Sequence, residues 1–175
     1  ATPGGVSVAL DALLRERGGV WVAHGAGSAD RAVVDERSSI EVPPDAPAYR
    51  LRRLWLSPEE EEGYYAGFSN AGLWPLCHQA HVRPQFKAGD WEIYQSVNRR
   101  FAEAAAIEAP PDASVFLNDY HLALVARSLR QRRPALRPVD RHERASTAHL
   151  HRNEHVDLDV RHHGTIVAGR LCLQG

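Results

Sequence analysis

An α/β fold is what this sequence predicts, and three observations carry that expectation. Two short apolar runs, residues 19–25 and 114–117, are bounded by turn signals and read as buried strands. Stripes at helical spacing precede and separate them: Val6, Ala9, Leu10, Leu13 and Leu14, then Trp91, Tyr94, Val97, Phe101, Ala104 and Ala105. The run 114–117 feeds through Asn118-Asp119-Tyr120-His121 into a further helical segment near residues 122–132. Strand, polar loop, helix is the repeating unit of an α/β domain.

The bulk properties agree with one globular domain. A chain of 175 residues is long enough for a real core. Hydrophobic residues make up 43% and charged residues 25%, and the net charge of -1 offers no field for nucleic acid or an anionic membrane. No apolar run is long enough for a membrane span, and no signal peptide is visible at the start. Cys77 and Cys172 are the only cysteines and lie far apart. They predict a reducing compartment, the cytoplasm, rather than a disulfide framework. With no Met, the chain is expected to begin within a gene or after processing.

In chain order, Gly4-Gly5 stands before the first helical stripe and Gly18-Gly19 ends it. Glycines at a helix N-terminus leave free N–H groups and a positive dipole end, which suits phosphate; an ordinary glycine-rich loop is the alternative. Residues 19–25 form a strand that carries His24. Residues 26–48 read as loop, with one short strand near 40–42 and a break at Pro43-Pro44. A strand over 49–56 follows. Ser57-Pro58-Glu59-Glu60 is a strong helix start: Ser57 caps, Pro58 sits at the first helical position, and Glu60 closes a capping box.

Residues 63–78 set Tyr64, Tyr65, Phe68 and Trp74 among glycines and small polar residues, a mix poor for a plain helix and for a plain strand. Such aromatics offer flat apolar faces with a polar handle, which suit the C–H face of a sugar; docking into the core is the alternative. A loop is expected after Trp74-Pro75, then a helix from about residue 90. Asp119 and His121 stand at the carboxyl end of the 114–117 strand, where ligands of open α/β sheets sit. A carboxylate there orients hydroxyls or moves protons. A helix N-cap for Asp119, and a buried histidine satisfied by backbone for His121, are the alternatives.

Beyond residue 136 the character changes. Six of the 10 histidines, His142, His149, His151, His155, His162 and His163, lie there, and no other aromatic residue follows His121. Their spacing fits no trusted metal-ligand pattern, so neither a metal site nor a cofactor is expected. A short strand is expected near residues 165–173.

Together these segments resemble a known family. Tyr64-Tyr65-x-x-Phe68-Ser69-Asn70-x-x-Leu73-Trp74-Pro75-x-x-His78, then Trp91-x-x-Tyr94-x-x-Val97-Asn98-x-x-Phe101-Ala102, then Asn118-Asp119-Tyr120-His121-Leu122 are similar to the trehalose-6-phosphate synthases. The Gly4-Gly5 start and the Tyr49-x-Leu51-x-Arg53-x-Trp55-Leu56 strand fit in the same order, so the resemblance covers residues 4–136. It implies a Rossmann-like N-terminal domain of a two-domain, GT-B type glycosyltransferase. The family transfers glucose from a nucleotide sugar, usually UDP-glucose, to glucose 6-phosphate with retention, and uses neither a metal nor a covalent intermediate. It also allows a homo-oligomer of the intact enzyme.

By position, the resemblance implies Tyr65 and Trp74 as acceptor-pocket walls. Asp119 becomes the catalytic candidate that engages the acceptor sugar, and Gly4 with Gly5 the loop near the phosphates. His24 stands where the family has a pocket tryptophan, which keeps glycerol 3-phosphate or a cyclitol phosphate open as the acceptor. A non-catalytic sugar-phosphate-binding module is a further alternative. Residues 1–136 are then expected to be a partial acceptor-binding domain without the nucleotide-sugar domain, and inactive alone. Residues 137–175 are expected to be an atypical tail, out of frame or disordered.

Overall fold

The structure, a computed structural model, describes residues 5–25, 28–140 and 165–168, with the backbone alone at 5–7, 28, 137–140 and 165–168. Gly4 and the histidines beyond residue 141 lie outside the described residues.

Helix α1 (Gly5–Arg17) closes on Gly18, whose φ of 70° is the left-handed conformation that ends many helices. Strand β1 (Val20–Gly25) is buried along its whole length, as a strand covered on both faces must be. Helix α2 (Ser28–Val33) and strands β2 (Ser39–Val42) and β3 (Tyr49–Trp55) follow. Ser57 then caps α3 (Pro58–Glu61): its hydroxyl accepts from the Glu60 N–H at 3.1 Å, while the Glu60 carboxylate accepts from the Ser57 N–H at 2.9 Å.

The aromatic stretch is neither plain helix nor strand. It is a π-helix (Glu62–Leu73) that runs directly into α4 (Trp74–Cys77), where sequence reading places a loop. π-Helical turns are rare and recur at functional sites. The long helix α5 (Ala88–Glu108) lies against it. Gly63 and Gly67, one turn apart, face this helix. A Cβ at Gly63 would meet Ile93 Cδ1 at 2.5 Å, and one at Gly67 would collide with the Asp90 carboxylate. The glycines therefore set how closely the two helices approach.

Strand β4 (Ser114–Leu117) passes through Asn118 and Asp119 into a 3-10 turn (Tyr120–Leu122) and α6 (Val125–Arg132). Strands β5 (Arg137–Asp140) and β6 (Thr165–Ala168) complete one six-stranded sheet of order β2-β3-β1-β6-β4-β5. All pairings are parallel except that of β2 with β3. Both β5 and β6 lie beyond residue 136, where the sequence changes character, and β6 fills the middle of the sheet.

Side-chain alternation divides the core between the two faces. On one, Val20, Val22, Val115 and Leu117 meet Tyr64, Tyr94, Val97, Phe101, Leu122 and Leu129. On the other, Trp21, Ala23, Tyr49 and Leu51 meet Leu10 and Leu14 of α1. Each such fully buried side chain contributes about 1.5–3 kcal/mol. The helical stripe expected on α5 is buried as read at Tyr94, Val97, Phe101, Ala104 and Ala105, but Trp91 is 40% exposed at the first turn. Helices on both faces of a parallel sheet make the expected Rossmann-like α/β architecture.

Candidate functional site

Register places the candidates at one level of the sheet. Val22 of β1 and Leu117 of β4 both pair with Ala168 of β6. His24 and Asp119 each lie two residues past that row, on strands two positions apart, hence about 10 Å apart at the backbone.

At the end of β4 the chain turns sharply. Asp119 has φ 82° and ψ 156°, a region that essentially only glycine occupies. The turn is held from below by α5. The Tyr94 hydroxyl donates to the Tyr120 carbonyl at 2.6 Å, and the buried Asn98 donates from Nδ2 to the His121 carbonyl at 3.1 Å and accepts at Oδ1 from the Leu124 N–H. Sequence reading assigned Asn98 no part in the site beyond the family pattern. Only the three-dimensional contact of α5 with this loop reveals one.

Asp119 Oδ1 accepts from the Tyr120 N–H at 2.7 Å, so the N-cap expected as an alternative is present. Asp119 Oδ2 lies 3.3 Å from Nδ1 of His121, and the carboxylate side chain remains 42% exposed. N-capping and ligand contact are compatible here, because each carboxylate oxygen has two lone pairs. His121 is buried, and its ring stacks on Tyr65 with centroids 5.0 Å apart and on Tyr120 at 4.3 Å. Trp74, 41% exposed, stacks on His78 at 5.0 Å, and His78 meets the edge of Tyr120 at 6.0 Å.

Tyr65, Trp74 and Asp119 are thus brought together through two histidines, His121 and His78. Tyr64 is buried against Tyr94 and Phe101, and Phe68 packs on Phe86, Trp91 and Tyr94, so both serve the core. Tyr120 donates its hydroxyl to Asn70 Oδ1 at 3.1 Å. Burial, and then the Asp119 charge, push the Tyr120 phenol well above its ordinary range, so it stays a neutral donor. Burial and the same carboxylate raise the Cys77 thiol.

The other two candidates stand differently. His24 is buried at the end of β1, and its carbonyl accepts from Arg53 Nη1 at 3.2 Å. Gly5 opens α1. That helix is joined to β1 by Gly18 and Gly19, and its Leu10 and Leu14 pack on Trp21, Ala23, Tyr49 and Leu51. Among the described residues, no group of three His, Cys, Asp or Glu is gathered to hold a metal ion.

The chain is similar in sequence and in fold to known proteins. The chain is 44% identical over 133 residues to the trehalose-6-phosphate synthase of Mycolicibacterium smegmatis, covering 76% of this chain and 25% of that protein. It is 42% identical over 135 residues to the enzyme of Mycolicibacterium gilvum, covering 77% and 26%. The fold matches an α,α-trehalose-phosphate synthase of Burkholderia xenovorans solved in complex with glucose-6-phosphate, with TM-score 0.63 and 27% identity over 78% of this chain and 29% of that one. An E. coli protein solved with UDP-2-fluoro glucose matches with TM-score 0.59 and 28% identity, over 75% and 28%. The chain therefore spans about a quarter of the length of the curated relatives it matches. The family model for glycosyltransferase family 20 matches residues 1–139, and the chain belongs to that family.

Proposed function

We propose that this chain forms the acceptor side of a cytoplasmic trehalose-6-phosphate synthase, which transfers glucose from UDP-glucose to glucose 6-phosphate. The observation that carries this reading is the convergence of Tyr65, Trp74 and Asp119 at one end of the sheet. The two aromatics offer faces to the sugar ring, and the Asp119 carboxylate accepts from its hydroxyls. Gly5, with Gly4 ahead of it, offers backbone N–H groups and a helix dipole to phosphate. Held in one place, the acceptor hydroxyl meets the donor as an effectively intramolecular partner. Donor binding and stabilisation of the leaving diphosphate belong to groups supplied from outside residues 1–136.

The burial of His24 favours glucose 6-phosphate over the other phosphorylated acceptors. A buried side chain at the end of β1 reshapes the pocket less than an exposed one would. Calorimetric titration of the chain with glucose 6-phosphate, glycerol 3-phosphate, a cyclitol phosphate and UDP-glucose tests the proposal. Glucose 6-phosphate binds and the other three do not; Tyr65→Ala and Asp119→Ala each weaken it at least tenfold. No sugar transfer occurs with the chain alone. Equal affinity for all the phosphates, or none for glucose 6-phosphate, overturns the reading.

A further inference from the structure

One buried group at the site has no assigned role. Among the described residues, His121 Nε2 is enclosed and has no hydrogen-bond partner, whereas Nδ1 faces Asp119 Oδ2 at 3.3 Å. The His121 carbonyl is held by Asn98, so the backbone beneath the ring is fixed as well. The neighbouring titratable groups are Asp119 on its own turn, Tyr120 beside it, and Tyr64 and Tyr65 from the π-helix. Tyr94 of α5 reaches the Tyr120 carbonyl, and His78 of the segment after α4 lies at the far edge of Tyr120.

Two neutral tautomers are available to an imidazole, and the surroundings separate them. With the proton on Nε2, an N–H would be buried without an acceptor while the Nδ1 lone pair faced a carboxylate. Both features are unfavourable. With the proton on Nδ1, the positive N–H edge lies 3.3 Å from the Asp119 carboxylate and only a lone pair is left in the enclosed position. The Nδ1–H tautomer is therefore selected by Asp119, in the way a second group commonly fixes a histidine tautomer.

We propose that His121 is a positioning residue of the acceptor site: as the Nδ1–H tautomer it holds the Asp119 carboxylate, and its ring face sets the plane of Tyr65. One ring thereby fixes both a polar and an apolar contact of the pocket. This rests on the proposed acceptor function for its purpose, but not for its geometry.

The test is ring nitrogen NMR on the full chain labelled with 15N-histidine, with the His121 signals identified by their loss in His121→Phe. At pH 8 the expected pattern is Nδ1–H, against the Nε2–H preference of free imidazoles. In Asp119→Ala it reverts towards Nε2–H. A wild-type Nε2–H pattern overturns the proposal by itself, whether or not the variant folds. In binding, His121→Phe keeps a flat ring but loses the donor, and glucose 6-phosphate affinity falls about tenfold, the effect of one charge-assisted hydrogen bond. Unchanged affinity in that variant overturns the positioning role. If the wild type binds no glucose 6-phosphate, the acceptor function fails while the ring spectrum still decides the His121–Asp119 contact.

Discussion

The carboxyl ends of β1 and β4 lie two strand positions apart in one sheet, and they are finished in opposite ways. At β1 the described polar groups are engaged with one another. Arg53 is buried, donates to the His24 carbonyl and to Asp30 Oδ1 at 3.0 Å, and has its pKa lowered by burial against the opposing pull of Asp30. The Trp55 ring lies where a Cβ on Gly25 would be, with the Arg31 guanidinium 4.2 Å above it. At β4 the chain ends on a strained aspartate that is 42% exposed, and Tyr120 next to it leads through His78 to the exposed Trp74. Charge at the first end is buried in structure, whereas at the second the carboxylate side chain stays partly exposed. Backbone strain costs stability and persists only where the surroundings enforce it, so its presence on a partly exposed Asp119 makes this end the candidate for ligand contact.

Opening the sealed end should give the largest change in stability. Arg53→Ala leaves Asp30 without its guanidinium and the His24 carbonyl without its donor. A loss of about 3 kcal/mol is expected, as for other pairs broken from one side. Urea denaturation measures it. Glucose 6-phosphate affinity of the folded protein should be unchanged, since Arg53 belongs to the closed end. A large loss of affinity at full stability would merge the two ends into one site.

Relaxing the open end should do the reverse. Asp119→Gly removes the side chain from a backbone region that suits glycine, a relief of about 1–3 kcal/mol. It also removes a cap of about 1 kcal/mol. The net expectation is equal or greater stability, with sugar-phosphate affinity reduced at least tenfold. Thermal melting and calorimetry on the same sample check both halves. A destabilised Asp119→Gly protein would mean that the aspartate holds the turn rather than serving the ligand.

The sequence disclosed these two ends unequally. The strand at 114–117, the buried run at 19–25 and the capping box at Ser57 are written in local patterns, and each forms as read. The π-helix is not legible in that way. Its composition warned against ordinary helix, but Gly63 and Gly67 acquire meaning only against Ile93 and Asp90, on a later helix. The bond from Asn98 to the His121 carbonyl is likewise a contact between distant segments. Trp91 fits the apolar period of α5 but lies at its first turn, where the helix reaches past the core. His24 drew attention through its place in a family pattern, while its burial and the bond from Arg53 to its carbonyl come from the sheet. Residues near in sequence announced themselves; those made functional by packing did not.

Gly67→Ala tests the packing beneath the open end. The added methyl pushes on Asp90, and overpacking of this kind costs about 1–2 kcal/mol. Because the π-helix also carries Tyr65, sugar-phosphate affinity should fall together with the urea midpoint. Gly89→Ala serves as the control, for nothing lies within 4 Å of a Cβ there. Equal behaviour of the two variants would detach the π-helix from the site.

The smallest expected effect lies where the two ends are joined. Arg100 of α5 donates from Nη2 to the Trp55 carbonyl, at the sealed end, and from Nη1 to Glu60 Oε1 at 2.6 Å, where the aromatic helix begins. Burial alone would raise the Glu60 carboxyl, but the Ser57 N–H and the Arg100 guanidinium outweigh it and hold the group below its ordinary value of 4.5. A carboxylate with a lowered folded pKa contributes stability that is fully present above the unfolded value and is lost as pH falls through the folded one. Glu60→Gln keeps an acceptor for the Ser57 N–H and removes only the charge. It should therefore cost about 0.5–1 kcal/mol at pH 7, as a partly exposed pair does. The difference from wild type should shrink as pH drops below 4.5. Denaturation midpoints of both proteins at pH 7 and pH 3 measure this. A gap that persists at pH 3 would show that shape, not charge, couples the sealed end to the helix that builds the open one.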